Sequence, residues 1–193
     1  MKKLIVMLIA GVAVSSAFAS KVKWGTSAVP ADWGTKDGTM YLIYATALPD
    51  TTTWSTKTTF TSADVLAGTS AKYVNDSNGI QMSHVIDSGN GYKWADTAGT
   101  TSTLHPEDLD GSGAANGARK FYLAILSDDG SQLSISTLKS ANIAAADSTA
   151  VNLTWTLSSN FTTYKAASGV PEPTSGLLLA LGGAMLALRR RRR

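Results

Sequence analysis

Cysteine is absent from the 193 residues, which excludes disulfides, thiol catalysis and cysteine-ligated metals together. Histidine is almost as scarce: His84 and His105 are the only two. No G-x-S-x-G segment is present, so the nucleophile elbow of the α/β-hydrolases is missing as well. Helical periodicity is thin, and no internal repeat stands out. The apolar runs are short, the two longest lying at the extreme ends of the chain. The formal net charge of +3 misleads, because Lys2, Lys3 and five terminal arginines supply the excess. Between Ser20 and Gly169, ten Lys/Arg stand against thirteen acids, a balance of about −3. Electrostatic binding to nucleic acid loses its support.

At the N-terminus, Lys2 and Lys3 precede an apolar run from Leu4 to Val14, and small residues follow. Ala17-Phe18-Ala19 fits the A-x-A cleavage pattern, so residues 1–19 read as a secretory signal peptide. Cleavage after Ala19 leaves Ser20 as the first mature residue. Residues 20–169 then form one exported domain, large enough for a real core.

The other end carries Val170-Pro171-Glu172-Pro173, then the uncharged segment Gly176 to Leu188, then Arg189, Arg190, Arg191, Arg192 and Arg193. Two prolines fix φ and disfavour helix at the residue before each, so the stretch ahead of the apolar segment stays extended. As a helix, those 13 residues rise about 20 Å against a hydrocarbon core of roughly 30 Å. Interfacial Thr174 and Ser175 and snorkelling arginines make up part of the difference. A transmembrane helix over about 175–188 is expected, and the positive-inside rule holds the arginines in the cytoplasm.

Pro-Glu-Pro followed by a short apolar helix and terminal arginines resembles the PEP-CTERM sorting signal of Gram-negative bacteria. The resemblance covers residues 170–193, with Val170, Pro171, Glu172 and Pro173 as the motif. It implies recognition by an exosortase-type enzyme of the inner membrane, cleavage near the motif, and release or transfer to the surface. The partners implied are that enzyme, the secretion machinery and, transiently, the inner membrane. Extracellular polysaccharide is a further prospective partner. The implied location is the cell surface or the extracellular space. In that family these residues are a recognition signal and have no catalytic part.

Within the domain, short β-branched and aromatic stretches separated by polar turns predict a mainly β fold, an antiparallel β-sandwich or small barrel-like fold. Strands are expected in Met40 to Leu48, Thr53 to Thr61 and Ile80 to Ile86. Lys120 to Leu126 and Gln132 to Leu138 flank the turn Ser127-Asp128-Asp129-Gly130 as a hairpin. Val151 to Leu157 alternates cleanly, with Val151, Leu153, Trp155 and Leu157 on one face. Phe161 to Ala166 is expected to pair with it. Thr61 to Leu66 reads as a capped helix with Gly68 as its stop, and the Ala-rich Ser140 to Asp147 as a second. Ser88 to Gly91 and Asp110 to Gly117 read as surface loops.

Candidate chemistry is sparse. A hydrolase would need His84 or His105 beside a carboxylate and a nucleophile. Asp108, Asp110 and Ser112 match positions 1, 3 and 5 of an EF-hand loop. Position 12, however, is Arg119 where a bidentate Glu belongs. An acidic Gly-rich loop is the better reading, and neither metal nor cofactor is expected. Trp24, Trp33 and Trp94 lie where exposed rings could stack on sugars, whereas Trp155 is in phase with the apolar face. The expectation is a non-catalytic structural or adhesive protein. A carbohydrate-binding module and an unrecognised secreted hydrolase stand as alternatives.

Overall fold

The structure, a computed structural model, describes residues 20–27, 30–76, 78–87, 100–104, 109, 117–143 and 150–167. In chain order the elements are β1 (Ser20–Thr26), β2 (Gly38–Tyr44), a 3-10 helix (Trp54–Thr56), α1 (Ser62–Val65), β3 (Lys72–Tyr73) and β4 (Ser83–Ile86). There follow β5 (Thr100–Leu104), β6 (Gly117–Ser127), β7 (Gln132–Ser136), β8 (Lys139–Ile143), β9 (Val151–Trp155), a 3-10 helix (Ser158–Asn160) and β10 (Phe161–Lys165). One sheet has the order β5-β1-β9; the other runs β10-β7-β6-β2-β3, with β4 also on β2 and β8 also on β6. All pairs are antiparallel except β1 with β9. The fold is mainly β, as the composition predicts.

The most apolar strands, β2 and β6, lie side by side in the larger sheet, and over residues 42–44 and 121–125 they are buried on both faces. Successive side chains alternate across a strand. Met40, Leu42, Tyr44, Phe121, Leu123 and Ile125 therefore meet Val22, Trp24, Leu153 and Trp155 of the smaller sheet. Ile43, Ala45, Tyr122 and Ala124 face the opposite way, with Leu133 and Ile135 of β7. The excursion between β2 and β3 covers that second face with Trp54, Phe60 and Val65. The Tyr122 hydroxyl donates to the Val65 carbonyl at 2.6 Å and ties α1 down; burial raises this phenol's pKa well above its ordinary value. Three layers result.

The predicted hairpin is present. Gly130 N–H closes the turn on the Ser127 carbonyl at 2.9 Å, and Ala124, Ile125 and Leu126 pair with Ile135, Ser134 and Leu133. Lys36 clamps the turn through Asp129 at 2.6 Å. That ammonium, then the Ser131 hydroxyl and N–H, hold the Asp129 carboxyl well below the usual carboxylate range. Beyond the hairpin β6 changes partner, and Phe121 pairs with Lys139 of β8. At the changeover the Ser136 hydroxyl accepts the Leu123 N–H at 2.8 Å, replacing a ladder bond. The helix at Thr61 is also present, with a capping box in which Asp64 accepts the Thr61 N–H at 2.9 Å.

Five expectations need correction. Thr53 to Thr61 is not a strand: Trp54–Thr56 is a 3-10 helix, and the Phe60 N–H goes to the Gly130 carbonyl at 2.7 Å. Here the covering role of Trp54, edge-on to Phe60 and Tyr164, overrides β propensity. Residues 140–143 of the Ala-rich stretch belong to β8, because pairing with β6 outweighs a weak helical preference. Phe161–Lys165 pairs with β7, not β9. The alternation of β9 marks which face is buried, and in β10 only Phe161 is buried, against the same cluster, yet neither pattern carries anything about the neighbour. Leu157 is 60% exposed, since β9 ends at Trp155 and the chain crosses to the other sheet. Ile80, in the turn before β4, is likewise out at 64%.

The outer edge of β9 is closed by side chains. Asn152 Oδ1 accepts the Thr154 N–H at 2.9 Å, and Lys139 Nζ donates to the Thr154 carbonyl at 2.7 Å. Those are groups a further strand would need, so this edge is protected against pairing.

Candidate functional site

Several residues singled out above lie outside the described residues: Ala17, Ala19, His105, Trp94, Asp108, Asp110 and Ser112. The sorting residues Val170, Pro171, Glu172 and Pro173, the 175–188 segment and Arg189 to Arg193 do too. Among the described residues no helix is long and apolar enough to cross a membrane. None of them forms a group of three His, Asp or Glu able to hold a metal ion.

Of the described candidates, the tryptophans are placed against the sequence reading. Trp24 faces inward from β1 and donates to Ser102 Oγ at 3.2 Å. Trp33 is 0% exposed and donates to the Lys36 carbonyl at 3.1 Å. Flanking Gly and Pro suggest surface, but the segment folds back so that Trp33 lies against Gly38. A Cβ there would stand 3.1 Å from the ring. Trp54 and Trp155 are buried as well. Trp155 is core as expected, its N–H on the Thr137 carbonyl at 2.9 Å and Lys139 over its ring. These four rings are structural and cannot stack on an external sugar. His84 is half-buried on β4 opposite Met40.

A different aromatic pair is accessible. Tyr41 of β2 and Tyr73 of β3 are half-exposed, with ring centroids 5.2 Å apart and planes tilted by 58°. Cross-strand neighbours share a face. Ser83 lies opposite Tyr41, and Val85, 71% exposed, lies opposite Thr39. The strip Thr39, Tyr41, Tyr73, Ser83 and Val85 thus combines phenol rings and hydroxyls without a formal charge. Alternation in Met40 to Leu48 places Tyr41 on a face, but only the fold brings Tyr73 beside it.

No family model, curated protein or solved structure matches the chain.

The first and last described strands differ in construction. Ser20 opens β1, the central strand of its sheet, and is 0% exposed. Its register partner is Leu104 of β5. At the other end β10 is the outermost strand of the larger sheet. The chain leaves it through Ala166, whose N–H reaches the Ser131 carbonyl at 2.8 Å, and Ala167, whose N–H reaches the Lys57 carbonyl at 2.7 Å. Lys57 is held in turn by Asp64 at 2.8 Å.

Proposed function

We propose that this is an exported protein sorted to the cell surface or extracellular matrix through a PEP-CTERM tail, with a structural or adhesive role and no catalysis. One observation carries the reading: Val170 to Pro173, an apolar segment and Arg189 to Arg193 occur in that order, in a chain that opens with a signal-peptide pattern. Mass spectrometry of the protein from its native host tests it. The expected mature form begins at Ser20 and ends near Pro173. Retention of Arg189 to Arg193 sinks the sorting assignment.

A second reading, carbohydrate binding, is favoured by the Tyr41–Tyr73 strip. Rings with hydroxyls at hand and no charge suit the C–H faces and hydroxyls of a neutral glycan. Here Tyr41→Ala with Tyr73→Ala is expected to weaken retention on an insoluble neutral glycan at least about tenfold, each good ring contact being worth roughly 1 kcal/mol. Unchanged retention, with the fold intact by circular dichroism, removes this reading.

A further inference from the structure

We propose that Tyr41 and Tyr73 form an oxidative modification site, a phenol pair that a peroxide-driven one-electron oxidant joins through a carbon–carbon bond. Their ring centroids stand 5.2 Å apart with planes tilted by 58°, and both residues are half-exposed. Tyr73 lies opposite Ile43 in the register, so Tyr41 is its diagonal neighbour on the same face. The second side-chain torsion of a tyrosine is broad, which leaves each ring edge free to turn toward the other. Among the described residues no other two phenol rings are in contact. Tyr44 packs edge-on to Phe121, Tyr122 is buried with its hydroxyl on the Val65 carbonyl, and Tyr164 packs against Trp54.

The oxidant removes one electron and one proton from each phenol, leaving two phenoxyl radicals whose spin is shared with the ring carbons beside the oxygen. Combination of the radicals forms one bond between a Cε atom of each ring. The proton on each joined carbon then leaves while each oxygen takes one up, which restores both phenols. Two hydrogen atoms are lost in all, and one hydrogen peroxide is reduced to two waters. Competing sinks are withdrawn from the surface. Cysteine is absent, and Met40, Met82, Trp24, Trp33, Trp54 and Trp155 are buried. The new bond closes a loop around the excursion that carries Trp54, Phe60 and Val65, and it fastens the two-residue β3 to β2. Closing a loop covalently restricts the unfolded chain. A domain without disulfides thereby gains a covalent tie.

The test treats the full chain, folded and dilute in mild detergent, with hydrogen peroxide and a haem peroxidase. The expected product is a monomer lighter by two hydrogen atoms, with dityrosine fluorescence and a bond that tandem mass spectrometry places between Tyr41 and Tyr73. Tyr41→Phe and Tyr73→Phe keep the rings and their packing. Each is expected to lower the yield of that product at least about tenfold, because only a pair held together has a high effective concentration. Tyr164→Phe should leave the yield unchanged. Bonds formed mainly between separate copies of the chain overturn the inference. An equal yield of linked monomer from the Tyr73→Phe chain overturns it too. No glycan enters the measurement, so the outcome is independent of the carbohydrate reading above.

Discussion

Trp33→Ala is expected to lower stability by about 3–5 kcal/mol, the usual cost of removing a large buried aromatic side chain. The ring has no exposed surface, belongs to the core between the layers, and has its N–H satisfied by the Lys36 carbonyl. Truncation leaves a cavity beside Gly38, whose own close approach to the Leu126 carbonyl limits collapse. The melting temperature should fall on the order of 10 °C for a domain of this size. Urea denaturation monitored by far-UV circular dichroism reads the change directly. A shift within about 0.5 kcal/mol, the behaviour of a surface position, would return Trp33 to the exposed side and with it the sugar-stacking role.

The second large effect is expected at the hairpin turn. Gly130 has φ +66°, and a Cβ there would stand 2.5 Å from Thr59 Oγ1 and 2.8 Å from the Phe60 carbonyl oxygen. Gly130→Ala therefore meets two costs at once. The left-handed conformation disfavours a side chain by about 1–2 kcal/mol, and the contact with backbone adds roughly 1–3 kcal/mol. Part of the loss arises because the Phe60 N–H bond to the Gly130 carbonyl must lengthen as the loop recedes. Gly79→Ala is the control, since Gly79 has φ +77° with nothing within 4 Å of a new Cβ. It should show the conformational cost alone. Equal destabilisation at the two positions would mean that the excursion carrying Phe60 does not press on the turn.

That contact between a turn and a distant loop marks the limit of what the chain's pattern conveys. Ser127-Asp128-Asp129-Gly130 announces a turn through residue types that favour it, and the hairpin follows from apolar runs on either side. Nothing in the pattern says that Lys36 and Phe60 hold the turn from two separate segments. The capping box at Thr61 is legible for the same local reason, Asp64 standing three residues on. By contrast β5 is Thr100-Thr101-Ser102-Thr103-Leu104, with no apolar alternation, and it becomes a strand because β1 lies beside it. The signal for β1 was present and weaker: Val22 and Trp24 alternate with Lys21 and Lys23.

For the candidate sites the division is sharper. The proposed sorting signal is a linear pattern, so Val170 to Pro173 and the arginines can be picked out from the sequence without a fold. An aromatic platform is a matter of exposure, and exposure belongs to the tertiary structure. Trp24 and Trp33 look accessible in their Gly- and Pro-flanked stretch but lie inside, while Tyr41 and Tyr73 come together half-exposed on one face.

By itself the sequence determines the mainly β class of the fold and the local turns and caps, and it carries the linear patterns at the two ends on which the proposed export and sorting rest. These depend on residues within a few positions of one another. Only the tertiary structure decides that β9 lies parallel to β1, that β10 lies on β7, and that Ser20 is sealed in the middle of a sheet. Strand pairing joins backbone groups that every residue carries, so side-chain pattern fixes which face is buried and leaves the neighbour to the packing of the whole.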